Sequence, residues 1–138
     1  MLTRRMFGGC AVCAAVGLVA SSGGGGGARA QPAQTAGVSR TVVQTTDLDE
    51  KTVTMLVMAE IAAGATVARH THPGIESTYV VEGGCELSVQ GQPAKRIAAG
   101  EGFQIPPGTP HGVQNGDRPT KLAITYVVEK GKPLASPA

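Results

Sequence analysis

The chain is 138 residues long, 41% hydrophobic, 16% charged and 3% aromatic, with three His, three Cys and no Trp. That length holds one domain and not two full cores. The formal charge of +2 belongs to the leader: Arg4, Arg5 and Arg29 lie in the first thirty residues, which lack Asp and Glu, whereas nine Lys and Arg meet ten Asp and Glu from residue 31 onward. A nucleic-acid groove needs clustered basic side chains with aromatic stacking platforms. Beyond residue 30 only Tyr79, Phe103 and Tyr126 are aromatic, so composition argues against that partner.

Arg4 and Arg5 precede an apolar run from about Met6 to Ala20, a Gly-rich spacer and the small-residue site Ala28-Arg29-Ala30. This is the layout of a secretory signal peptide over residues 1–30, cleaved before Gln31, and it places the mature protein in the periplasm or outside the cell. The run is shorter than the ~20 residues of a membrane span, so no stable span is expected once the leader is removed. Thr3-Arg4-Arg5-Met6-Phe7 resembles a twin-arginine signal, which exports folded proteins; a general secretory signal and an uncleaved anchor are the alternatives. Cys10 and Cys13 fall in the leader, leaving Cys85 as the lone cysteine of the mature chain, expected to be buried.

Residues 31–40 read as a polar, flexible lead-in. From there the pattern is short β-branched and apolar runs between turn formers. The spacing predicts strands over Thr41–Thr46, Thr52–Ile61, Thr66–His72, Ser77–Glu82, Glu86–Gln90, Lys95–Ala98, Gly102–Ile105, Gly112–Asn115 and Leu122–Glu129, broken at Gly64, Pro73-Gly74, Gly83-Gly84, Gly91, Gly100, Pro106-Pro107-Gly108 and Asn115-Gly116-Asp117. Such short strands imply an all-β sandwich or barrel over residues 41–130. Thr52–Ile61 is apolar at both parities, as for a strand inside packed layers or at a homodimer interface. The tail, residues 131–138, is rich in Pro and small residues and is expected to add little to the core.

All three histidines fall in one constellation. His70 and His72 stand at i and i+2, so on a strand both imidazoles leave the same face. Glu76 follows after Pro73-Gly74-Ile75, and His111 follows a Pro107-Gly108 pair suited to a type II turn. Three imidazoles and one carboxylate suit one divalent Mn, Fe, Co, Ni, Cu or Zn. An isolated H-x-H is more often surface decoration, and an isolated Pro-Gly before a His is an ordinary turn. Here they occur jointly: Gly64 to Gly83 reads G-x5-H-x-H-x3-E-x6-G, and sixteen residues later Gly100 to Asn115 reads G-x5-P-x-G-x2-H-x3-N.

These segments resemble the two signature motifs of the cupin superfamily, in order. The resemblance maps His70, His72, Glu76 and His111 onto the family's metal ligands, and it implies a small antiparallel jelly-roll β-barrel, often dimeric, with the metal inside. It further implies either an enzyme, of dioxygenase, decarboxylase, lyase or isomerase type, or a non-catalytic metal- or ligand-binding module. With every histidine committed, proton transfer falls to Glu76, to a metal-bound hydroxide, or to Tyr126 if it faces inward. Met55, Thr78, Val80, Phe103 and Val113 are the expected pocket lining, with Arg69 and Tyr79 turned away. No Arg or Lys is evidently placed to hold an anion, so a small, weakly charged, oxygen-bearing substrate is expected. Folding before export would load Mn or Fe in the cytoplasm, ahead of Cu or Zn.

Overall fold

The computed structural model describes residues 36–138; the expected leader and cleavage site, with Cys10 and Cys13, lie outside them. The order is β1 (Val38–Asp47), β2 (Thr52–Ile61), β3 (Thr66–Thr71), β4 (Gly74–Glu82), β5 (Gly84–Val89), β6 (Lys95–Ala98), β7 (Gly102–Ile105), β8 (His111–Asn115), β9 (Thr120–Glu129) and β10 (Ser136–Pro137). The strands form two five-stranded sheets, β1-β2-β9-β4-β7 and β10-β3-β8-β5-β6, and every pairing is antiparallel. This is the expected jelly roll. Among the described residues no helix is long and apolar enough to cross a membrane.

The strands form because alternate side chains have a core to enter. In β9 the pattern is complete: Thr120, Leu122, Ile124, Tyr126 and Val128 are buried, and the intervening residues are more exposed. β2 contributes Val57, Ala59 and Ile61 to the same interior, with Ile97, Ile105 and Val113 on other strands completing it. Cys85 is buried there at 1% exposure, and burial pushes its thiol pKa up. β2 lies between β1 and β9, so its inner parity meets the core while Leu56 remains 40% exposed on the outer face.

Two ends of the chain differ from expectation. β1 begins at Val38, a buried residue, so part of the anticipated lead-in is ordered sheet. The tail returns to pair with β3, Ser136 opposite Thr71 and Pro137 opposite His70, and Leu134 packs against the core. Short polar segments such as this carry no periodicity by which sheet pairing is read from sequence.

The second-motif turn needs its glycine. Thr109 N donates to Pro106 O at 3.2 Å, closing a turn in which Gly108 has φ +66°. Gly108 N in turn donates to His72 O at 2.9 Å, which ties this turn to the end of the first motif. Asn115 closes the second motif as an internal clamp. Its Nδ2 lies 2.9, 2.8 and 2.9 Å from the carbonyl oxygens of Ile61, Ala62 and Arg118.

Candidate metal centre

The first motif is split between the sheets. β3 carries His70 in one sheet, His72 follows it, and the chain crosses at Pro73 into β4, where Glu76 lies in the other sheet. β3 pairs with β8 through Val67 opposite Val113, and then through His70 opposite His111. The register shift between Val67 and His70 inserts an extra residue on β3. Val67 and His70 are three positions apart and would face opposite ways in a regular strand; a bulge re-aims the second of them inward. Glu76 lies opposite Tyr126 of β9 and Ile105 of β7.

These placements gather His70, His72, Glu76 and His111, each offering a donor atom, with all of these atoms within 4.8 Å of one another. Glu76 Oε2 stands 2.8 Å from His72 Nε2 and 3.2 Å from His111 Nε2, and His70 Nε2 is 3.1 Å from His72 Nε2. Donors held ~2.1 Å from one ion at right angles to each other would stand ~3 Å apart, so the spacing fits a single ion.

The opposite ring nitrogens decide the tautomers. Nδ1 of His70 lies 2.7 Å from Ala68 O, that of His72 2.5 Å from Leu134 O, and that of His111 3.0 Å from Thr109 O. A carbonyl only accepts, so each Nδ1 carries the hydrogen and each neutral ring turns its Nε2 lone pair toward the centre. Lone pairs facing each other at His70 and His72 repel unless a cation stands among them. The donor set therefore fits a divalent ion.

Charge is distributed to suit. Burial pushes His70 down to about 4, keeping it neutral near pH 7. Burial raises Glu76, but the Thr78 hydroxyl and the His111 and His72 rings, where these carry a second hydrogen on Nε2, outweigh it and hold the carboxyl well below the usual range; a cation at the centre takes the place of those Nε2 hydrogens. Burial likewise disfavours charged His111, yet the bond that its doubly protonated ring donates from Nε2 to Glu76 carries the net shift upward. Thr78 Oγ1 donates to Glu76 Oε1 at 2.6 Å, fixing the carboxylate from behind.

The cluster opens on an interior cavity of about 30 Å³, room for an ion's open positions and one or two water-sized groups. Phe103, Val113 and Tyr126 line it with His70, Glu76 and His111. Tyr126 faces inward, its ring 4.9 Å from that of His72, and burial raises its phenol so that it stays protonated. Thr78 sits behind Glu76. Val80 and Met55 do not line the cavity: Val80 is enclosed in the core at 0% exposure, and Met55, opposite Tyr126 across β2 and β9, is part-buried against the core. Arg69 is exposed and donates to Gln90 Oε1 at 3.0 Å, and Tyr79 is 52% exposed.

Arg40 overturns one expectation. It lines the cavity with His70, Glu76 and Tyr126, so the lining does contain a cationic residue. Parity within β1 places it, opposite buried Ala59, but a single Arg in a polar segment gives no sign of which strand receives it. A larger open depression of about 570 Å³ lies on the outer face of the first sheet, between Leu56, Tyr79 and Gln104. It holds none of the His/Glu cluster, and the chemistry belongs to the interior.

A two-sheet antiparallel barrel enclosing three imidazoles and a carboxylate is the architecture of a cupin. Residues 57–129 match the cupin domain family, Cupin_2, and the chain belongs to it. It is 33% identical over 64 residues to the dimethylsulfoniopropionate lyase DddQ of Ruegeria pomeroyi, a match covering 46% of this chain and 32% of that protein. The chain thus matches about a third of that relative's length. The crystal structure of DddQ superposes with a TM-score of 0.57 at 22% identity, over 62% of this chain and 43% of that one. KdgF from Halomonas sp. has a TM-score of 0.56 at 25% identity, covering 70% and 84% of the two chains. An RmlC-like cupin from Shewanella frigidimarina gives 0.57 at 26% identity, with 72% and 84% covered.

Proposed function

We propose that this protein is an exported, single-domain, metal-dependent enzyme of lyase, isomerase or dioxygenase type, acting on a small oxygen-bearing organic molecule. The observation that carries the reading is the convergence of three Nε2 lone pairs and the Glu76 carboxylate on one point at the edge of a cavity. Similarity to a protein described as a lyase supports the enzymatic class. A bound divalent ion, Mn or Fe by our reading, would supply Lewis-acid polarisation of a substrate oxygen or a site for dioxygen.

The chain's own groups divide the remaining work. His70, His72 and His111 hold fixed tautomers and are committed to ligation, so none is free to shuttle protons. Glu76 acts as base when Oε2 swings away from the imidazoles, Oε1 staying bonded to Thr78. Tyr126, kept protonated, donates a hydrogen bond to an oxygen in the cavity rather than accepting a proton. Apolar Val113, Phe103, Leu122 and Ile124 exclude water around them.

The small cavity favours a second reading, a metal-binding module without turnover. Elemental analysis of the purified exported protein beside a His70→Ala/His111→Ala control separates the readings from a metal-free scaffold. About one equivalent of metal, absent from the control, together with turnover in a panel of small oxygenated substrates supports the enzyme. Metal without turnover leaves the binding module, and a protein that refuses metal overturns both. A homodimer through the outer face of the first sheet, where Leu56, Ile75 and Tyr79 are exposed, completes the reading; light scattering giving a monomer would remove it.

A further inference from the structure

We propose that Arg40 and Tyr126 form an anion subsite beside the metal cluster, so that the ligand of this cavity is a short molecule bearing a carboxylate. The proposal takes from the functional reading only the identity of the cavity, and it holds with or without an ion at the cluster.

Arg40 belongs to β1 at an inward position, opposite buried Ala59 and two residues from buried Val38. It lines the same cavity as Glu76, His70 and Tyr126 while remaining partly exposed to solvent. Among the described residues no carboxylate forms an ion pair with its guanidinium. Glu76, the acidic residue of the lining, is already engaged by His72, His111 and Thr78. Val38, Ile61, Leu122 and Ile124 supply the apolar part of the lining, and beside them partly exposed Arg40 keeps its guanidinium fork free for an incoming anion.

Its electrostatic reach is visible on Tyr126, where burial raises the phenol and the Arg40 charge opposes that rise. The two side chains offer a forked cation and a hydroxyl donor to one ligand. Planar guanidinium bonds to a carboxylate in parallel pairs, and Tyr126 adds a donor from the side nearest His72. Without an ion Arg40 balances Glu76, and its guanidinium fork alone favours a carboxylate over a neutral diol or phenol; a bound divalent ion would add to that preference. The cavity takes only one or two water-sized groups, so the carboxylate enters it and the short remainder of the ligand extends past partly exposed Arg40 toward solvent.

The test is an NMR titration of the 15N-labelled protein with propionate and, as the neutral isostere, propionamide. It is run after chelator treatment and again after reloading with Co(II), whose visible spectrum reports occupancy of the cluster separately. Propionate is expected to shift the Arg40 Nε–H resonance in both states while propionamide does not. Arg40→Gln is expected to weaken propionate at least about tenfold with Co(II) uptake unchanged. Arg40→Lys, which keeps the charge but loses the fork, should fall between the two and guards against a folding defect in the first variant. Equal propionate affinity in wild type and Arg40→Gln, equal binding of the amide, or no binding of propionate overturns the subsite. Arg40-dependent binding in a protein that takes up no Co(II) upholds the subsite and rejects the metal reading instead.

Discussion

His72 donates its Nδ1 hydrogen to the carbonyl oxygen of Leu134, 2.5 Å away and sixty-two residues later in the chain. A ligand in the first motif is therefore oriented by the C-terminal tail, which β3 holds in place through β10 and through Ala138 N donating to Arg69 O at 3.3 Å. Partners of a ligand's second nitrogen fix its tautomer and raise its basicity.

Removing residues 133–138 should leave the barrel folded, because β10 is short and at the sheet edge. Metal affinity should fall by roughly 10- to 100-fold, read by competition against a chelator. Circular dichroism on the same samples would show an unchanged β spectrum. Unaltered affinity in the truncated chain would mean that Leu134 O has no hold on the site.

Thr78→Val removes the hydroxyl that donates to Glu76 Oε1 while keeping the shape. The buried carboxylate oxygen then lacks a donor, a loss of about 1–3 kcal/mol, so urea unfolding of the metal-free protein should show a lowered midpoint. Metal should still bind at one equivalent with weaker affinity. A midpoint equal to that of the wild type would show that Glu76 finds another donor.

Asn115 ends the second motif without touching the metal cluster, and its substitution should separate stability from chemistry. Asn115→Leu strips the amide from the carbonyls of Ile61, Ala62 and Arg118. Destabilisation of about 2–4 kcal/mol is expected, with metal stoichiometry per folded molecule unchanged. Loss of metal from the folded fraction would contradict the role of a clamp.

Gly74 is fixed by a close approach. A Cβ there would lie 2.0 Å from Val127 O, inside the pairing of β4 with β9 that carries Glu76. Gly74→Ala should cost more than ~3 kcal/mol and displace Glu76, so metal binding and thermal stability should fall together. Gly91→Ala, where no atom lies within 4 Å but φ is +77°, should cost about 1 kcal/mol and leave metal binding alone.

The sequence by itself determined most of the strand pattern and which residues make up the His/Glu cluster. Thr52–Ile61, Lys95–Ala98 and Gly102–Ile105 were readable to the residue because turn formers such as Gly64, Pro93, Gly100 and Pro106 lie within a few residues of their ends. His70, His72, Glu76 and His111 were readable because two local motifs carry them, with the glycines and prolines their turns demand. Only the tertiary structure decided how these pieces meet. The bulge between Val67 and His70 turns His70 inward, and a strand's regular alternation gives no hint of an extra residue. Arg40 enters the cavity, and the tail reaches His72, through pairings between distant segments. Such contacts depend on which strands lie side by side, and that is settled by burial of the whole core rather than by any local run of residues.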